Sequence, residues 1–274
     1  GQGGSTPNTA TLVVNGVDAA MVSISGTPTA VESGDDGVTT LVFDLVYTGD
    51  ADATRTVTYT VNGGEPQNAD ITFPDGAATL SIDVANDDID PSLNPSATYW
   101  GESQYIAPDD ALAGNGFNNV SYVPLSRPGS TTNGAWRLNI GGATVREQPA
   151  IYAWSATTPT AAIEEINVPG EGQFVAGSNV IDNGDGTWTY NYAIFNNNSD
   201  FSGESFTVPL GANVTVTNPG MSFPLYHSGE PYTNLDWKAT VTANDVTWTT
   251  ESYAVNQDAN ALRWGTTYSF WFTA

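Results

Sequence analysis

Ile181-Asp182-Asn183-Gly184-Asp185-Gly186-Thr187-Trp188-Thr189-Tyr190-Asn191-Tyr192-Ala193-Ile194-Phe195 carries the pattern of a turn followed by a strand. Asn-Gly and Asp-Gly tolerate the positive φ that tight turns demand, so residues 182–186 read as a hairpin turn between two apolar runs. Residues 188–195 then mix aromatic and β-branched side chains with polar ones, as a half-buried strand does. The same grammar recurs outward from this hairpin. Residues 12–14, 41–47, 56–61, 78–84, 205–210 and 268–272 are short Val, Ile, Thr, Tyr and Phe runs, and Gly, Asn, Asp or Pro clusters punctuate the chain between them. Helix signals are scarce, because no segment sustains apolar residues at i, i+3, i+4 and i+7 for three turns. The expectation is an all-β chain of two β-sandwich domains with an N-terminal β-strand arm.

A chain of 274 residues is long enough for two ordinary cores. All eight Trp lie beyond residue 99, and Asp90-Pro91-Ser92-Leu93-Asn94-Pro95 supplies two prolines that disfavour helix or central strand. These place a boundary near 91–98. The expected parts are an arm over 1–19, a first sandwich over 20–95, and a Trp-rich sandwich over 96–274 whose beginning is rich in loops.

The balance of 30 acidic against 6 basic residues gives a formal net charge of -24, which repels nucleic acid and anionic lipid and excludes a phosphate-binding groove. Charged residues are only 13% of the chain, so the polar surface is built from Thr, Ser, Asn and Gly, in an extracellular style. With no Cys, neither disulfides nor thiolate metal sites are available. No run reaches the roughly 18 apolar residues of a membrane-spanning helix, so no membrane insertion is expected. A start at Gly1-Gln2-Gly3-Gly4 suits an exported product whose signal has been removed, and a fragment of a longer chain would look the same.

Val22-Ser23-Ile24-Ser25, Val31-Glu32-Ser33-Gly34-Asp35, the run Leu41 to Tyr47, and Asp70-Ile71-Thr72-Phe73-Pro74-Asp75-Gly76 leading into Ile82-Asp83-Val84-Ala85-Asn86-Asp87-Asp88 resemble a Calx-β domain over about residues 20–90. That resemblance implies a seven-stranded immunoglobulin-like sandwich of an extracellular or cell-surface protein. It also implies that Glu32, Asp87 and Asp88, with Asp90 close by, meet at one end and bind calcium. This chain reads Ile89-Asp90-Pro91-Ser92-Leu93 where the family continues with further acids. Calcium takes six to eight oxygens, so backbone carbonyls, Asn or water must complete such a site, and the other reading is a solvated acidic loop. From about Tyr99 onward, the stretches Tyr99 to Tyr105, Arg146 to Ala150, Tyr192 to Asn196 with Asn198-Ser199-Asp200, and Ala259 to Thr266 are similar to an uncharacterised module of secreted proteins from environmental bacteria. That similarity implies export and a β fold.

The toolkit for catalysis is small, with one His (His227), one Lys (Lys238) and no Cys. Nothing around His227 forms the Gly-x-Ser-x-Gly elbow of a hydrolase. Glu164 and Glu165 are adjacent, so on a strand they face opposite sides and do not form a glycosidase pair. The chain is therefore read as non-enzymatic. The Asp182 to Gly186 string is acidic enough to invite calcium, but as a tight turn it lacks further ligands. Trp188, Trp248, Trp264 and Trp271 fall in strand patterns and are expected in the core, whereas Trp100 and Trp136, in loop-rich surroundings, are the candidates for contact with a glycan. Lys238 starts a plausible strand, and an intramolecular cross-link to Asn256 or Asn260 would require it inside an apolar core. Asn119, Asn197 and Asn213 stand in glycosylation sequons.

Leu12, Val13, Val14 and Val17 form a β-prone run that an exposed arm could not leave unpaired. It either folds back as an extra strand of its own domain or adds to a neighbour's sheet, and repeated head to tail the latter builds a filament. The function expected from these readings is a self-assembling subunit of an extracellular or cell-surface filament, appendage or sheath, joined to copies of itself by strand addition. The alternative is a carbohydrate-binding or adhesive module of a secreted protein.

Overall fold

The computed structural model describes residues 10–15, 22–31, 38–47, 54–59, 67–72, 77–85, 89–106, 112–126, 138–225 and 231–274. The chain is all-β and divides into two compact units, which among the described residues take Ala10 to Ala150 and Ile151 to Ala274.

The first unit carries β1 (Ala10–Asn15), β2 (Val22–Val31), β3 (Val38–Tyr47), β4 (Thr54–Tyr59), β5 (Gln67–Thr72), β6 (Ala77–Ala85), β7 (Tyr99–Ile106), β8 (Val120–Ser126), β9 (Asn139–Ile140) and β10 (Val145–Arg146). Their sequences are dominated by Val, Thr, Ile and Tyr, residues that suit a pleated surface. One sheet runs β10-β8-β7-β1-β4-β5, with β9 beside β8, and a second runs β2-β3-β6. The strand expected to be an arm is an interior strand here. β1 pairs antiparallel with β4, Val14 opposite Val57, and parallel with β7 from Ala10 opposite Gly101 to Asn15 opposite Ile106. With both edges bonded within its own chain, β1 has no free edge in this arrangement.

The same ladder moves the domain boundary. The prolines near 91–98 make a turn, in which Asp90 Oδ1 accepts from the Ser92 amide and hydroxyl, both at 2.7 Å, and the chain then returns to the first unit. Because β7 pairs with β1 and β8 pairs with β7, the described residues between 99 and 150 belong with the N-terminal strands and not with those that follow Ala150. The distribution of Trp marks a change in core composition rather than the edge of a unit.

The second unit carries α1 (Tyr152–Thr157), β11 (Ala162–Val168), β12 (Gly172–Asp182), β13 (Trp188–Asn196), β14 (Ser205–Pro209), β15 (Thr217–Ser222), β16 (Lys238–Val241), β17 (Asp245–Thr249) and β18 (Thr267–Thr273). A five-stranded sheet runs β11-β12-β13-β18-β15 and a three-stranded sheet runs β14-β17-β16. The hairpin quoted at the outset joins β12 to β13 as expected, with φ of 75° at Gly184 and 89° at Gly186. Its acids close the turn: Asp182 Oδ1 accepts from the Gly184 amide at 2.8 Å, and Asp185 Oδ1 accepts from the Thr187 amide and hydroxyl at 3.0 and 2.6 Å.

Strand alternation sends Tyr190, Tyr192 and Ile194 of β13 and Tyr268, Phe270 and Phe272 of β18 to one face, where they share a core with Phe206, Val246 and Trp248 of the three-stranded sheet. Phe206 and Trp248 lie 4.9 and 5.3 Å from Phe270, centroid to centroid, and aromatic pairs at such spacings contribute about 0.5–1.5 kcal/mol beyond area burial. The opposite face of β12 and β13 offers Val175, Ala193 and Phe195 to Ile151 and Trp154 beside and within α1. Gly177 makes room for that short helix, since a Cβ there would lie 2.8 Å from Trp154 Cε3.

Candidate functional site

Two of the stretches quoted from the sequence, Tyr192 to Asp200 and Ala259 to Thr266, meet at one end of the C-terminal unit. Strand β13 ends there in Asn196, and the next residues leave the sheet because three consecutive Asn compete for backbone groups. Asn196 is fully buried; its amide donates to the Ser199 and Leu262 carbonyls at 2.9 and 3.0 Å, while its Oδ1 accepts from the Ser199 amide at 2.7 Å. Asn197 is also fully buried and donates to Gln173 Oε1 at 2.9 Å, and Gln173 Nε2 passes the chain on to Asn167 Oδ1 at 3.0 Å. Asn198 Oδ1 accepts from the Gln173 amide at 2.8 Å. Gly172 lets these loops approach, because a Cβ there would sit 2.7 Å from the Asn198 carbonyl oxygen.

A second centre lies in the other motif. Asn260 is fully buried, receives the Tyr268 hydroxyl on Oδ1 and the Trp237 indole N–H on its backbone carbonyl, and donates to the Leu235 carbonyl at 2.9 Å. The Arg263 guanidinium lies 3.5 Å over the Tyr232 ring and donates to the Ala259 carbonyl at 3.0 Å. Buried amides satisfied in this way fix several loops to one another, and each costs free energy if a partner is removed. The network's chemistry is therefore positional: it presents the surrounding loops rigidly. Phe201 (89% exposed) stands on one of them, beside a left-handed Ser202 at φ 63°.

The residues singled out from sequence fall as follows. Leu12, Val13 and Val14 lie in β1, and Val17 lies outside the described residues, as do Glu32, Asp87, Asp88, Trp136 and His227. Asp90 serves its turn. Among the described residues, no group of three acidic or His side chains is placed to hold a metal ion. Trp100, expected as a glycan contact, is buried on β7 opposite Pro124, because its apparent loop is a strand. Of the Trp expected in the core, Trp248 is fully buried, whereas Trp188 is 44% exposed at the mouth of its hairpin. Lys238 is exposed on β16, so its amine is not inside the apolar core that an amide cross-link requires. Glu164 and Glu165 occupy consecutive positions of β11, on opposite faces, and Glu165 accepts from the Tyr152 hydroxyl at 2.6 Å. Burial, and then Glu165, push the Tyr152 phenol well above its ordinary range. Asn197 cannot accept a sugar in this fold, being buried and bonded, while Asn213 is exposed.

Sequence reasoning missed the Gln173–Asn197 and Asn260–Tyr268 pairings. The available signal was the run Asn196-Asn197-Asn198-Ser199 directly after a strand, which is polar where the alternation would call for apolar side chains. No helix among the described residues is long and apolar enough to cross a membrane. Compared with known proteins, the chain matches no family model, no curated protein and no solved structure.

Proposed function

We propose that the protein is an extracellular structural subunit, built from two sandwich-like units of the immunoglobulin type, that assembles with copies of itself by exchanging β1. The observation that carries this reading is the place of β1 in its sheet. Its successor in sequence, β2, belongs to the other sheet, whereas β1 lies in a ladder between β4 and β7 whose backbone partners any strand of the same register can satisfy. The slot left by one copy's β1 fits another copy's β1 with the same register, so exchange conserves every ladder hydrogen bond. Domain swapping of this kind is a low-cost route to oligomers, and a swap that does not close builds a filament. The acidic surface fits an environment rich in salt or divalent cations, which screen its self-repulsion. Calcium at Glu32, Asp87 and Asp88 belongs to the same proposal.

Sedimentation after dilution and reconcentration tests it. Oligomers that grow with concentration, and whose growth is blocked by Val14→Asp in a chain whose C-terminal unit stays folded, support the exchange. A wild-type chain that stays monomeric at every concentration, with and without calcium, overturns it. A second reading, glycan binding, is favoured by the exposed faces of Trp188 and of Tyr253 (70% exposed). Glycan-array binding lost on Trp188→Ala would support that reading.

A further inference from the structure

We propose that the free edge of β11 is a docking site for an extended, basic segment of a partner protein, which joins the sheet as a further strand. Among the described residues, the C-terminal unit ends in four edge strands: β11 and β15 in one sheet, β14 and β16 in the other. Proteins guard such edges with brevity, proline, bulges or charged side chains, because an unpaired row of N–H and C=O groups is a template for another chain. Three of the four are guarded by brevity, proline, a bulge or lysine. β15 contains Pro219 and a register break between Thr217 and Gly220; β14 is five residues long and closes on Pro209; β16 is four residues long and opens on Lys238.

β11 is neither short nor broken by proline or a bulge; its guard is the charge of Glu164 and Glu165, which turns away acidic strands and admits basic ones. It is seven residues long and pairs with β12 in unbroken register, Ala162 opposite Ser178 through Val168 opposite Gly172. Ile166 is 45% and Val168 38% exposed. They share a face with Glu164, the face on which Phe174, the partner of Ile166, packs toward the aromatic core. Among the described residues, the apolar surface therefore continues to the edge and nothing pairs with the outer side of β11, which is the combination that strand addition uses: main-chain bonds for affinity, alternate side chains for specificity.

The charge of the strand names the occupant's chemistry. Glu164 lies on the apolar face and Glu165 on the other, in a chain with 30 acidic and 6 basic residues. A lysine or arginine opposite Glu164 and β-branched residues opposite Ile166 and Val168 complement the strand. A second copy's β11 does not, since a symmetric antiparallel pairing of 162–168 sets Glu165 against Glu165, and like charges directly opposite are destabilising.

Fluorescence anisotropy with the full chain tests this, using three short probes: a peptide alternating valine with lysine, one alternating valine with glutamate, and the lysine peptide N-methylated on alternate backbone amides. The lysine peptide is expected to bind at least about tenfold tighter than either of the others, and Glu164→Lys to weaken it by about tenfold. Hydrogen exchange should then slow across residues 162–168. Equal binding of the glutamate peptide, retained binding after N-methylation, or protection falling outside β11 overturns the proposal. So does concentration-dependent protection of β11 without any peptide, which would assign the edge to a second copy.

Discussion

Adding a single methyl group at Gly177 should cost the C-terminal unit about 1–2 kcal/mol. An alanine Cβ at that position would lie 2.8 Å from Trp154 Cε3, 2.9 Å from Cζ3 and 3.2 Å from Ile163 Cδ1. Carbon contacts are optimal at about 3.5–4.0 Å, and Trp154 is only 6% exposed, so the indole has little room to retreat. Overpacking of this kind costs about 1–3 kcal/mol, from which the unfolded-state benefit of replacing glycine, about 0.4–1 kcal/mol, must be subtracted. Gly211→Ala is the matched control, because its Cβ meets nothing nearer than Val214 Cγ2 at 3.8 Å; it should be neutral or slightly stabilising. Trp154→Ala should itself cost about 3–5 kcal/mol, and in that background Gly177→Ala should lose most of its penalty, since only the contact with the flexible end of Ile163 at 3.2 Å remains. Denaturant unfolding followed by Trp fluorescence measures all four chains. A Gly177→Ala protein as stable as Gly211→Ala, or a penalty unchanged in the Trp154→Ala background, would refute the packing of α1 on β12.

The remaining predictions concern the polar groups. Asn196→Ala removes an amide that serves two carbonyls and one backbone N–H, and the orphaned buried groups should cost about 3 kcal/mol, read by calorimetry. The Tyr152 phenol is raised above its ordinary 10.0, so its contribution is fully present below pH 10 and is lost as pH rises toward the folded value; melting temperature should fall above about pH 10, less steeply in Tyr152→Phe. If Glu32, Asp87 and Asp88 hold calcium, chelation should lower the melting temperature by mass action, with about 2.7 kcal/mol at stake when free calcium is a hundredfold above its Kd. A curve unmoved by chelator and by added calcium would remove the ion from the account.

Local chemistry made the β content legible. The Asn-Gly and Asp-Gly turn, and the strand Trp188 to Phe195 that follows it, stand where the pattern put them, because turn residues and alternation act over a few neighbours. Trp100 was misplaced because the first six residues of its strand, Tyr99-Trp100-Gly101-Glu102-Ser103-Gln104, lack β-branched residues and take their order from pairing with β1 and β8. That pairing spans some ninety residues of sequence, and no local pattern announces it. The same long-range ladder hid the unit boundary at Ala150 and Ile151 and the interior position of β1. The Asn196 and Asn260 centres were visible as motifs, yet their partners, at Leu262 and Trp237, lie on other segments and could be named only from the fold.

A disulfide pair across β1 and β4 tests the central claim most directly. Val14 and Val57 are directly opposite in an antiparallel pair, a spacing at which disulfides form, and the chain has no Cys to compete. Val14→Cys with Val57→Cys, oxidised after assembly and run on a denaturing gel without reductant, reports whose β1 fills each slot. Exchange predicts a ladder of covalent dimers, trimers and longer species that collapses to monomer on reduction. A single monomer band, with the thiols fully oxidised in material shown to be assembled, would place β1 permanently in its own chain and contradict the account.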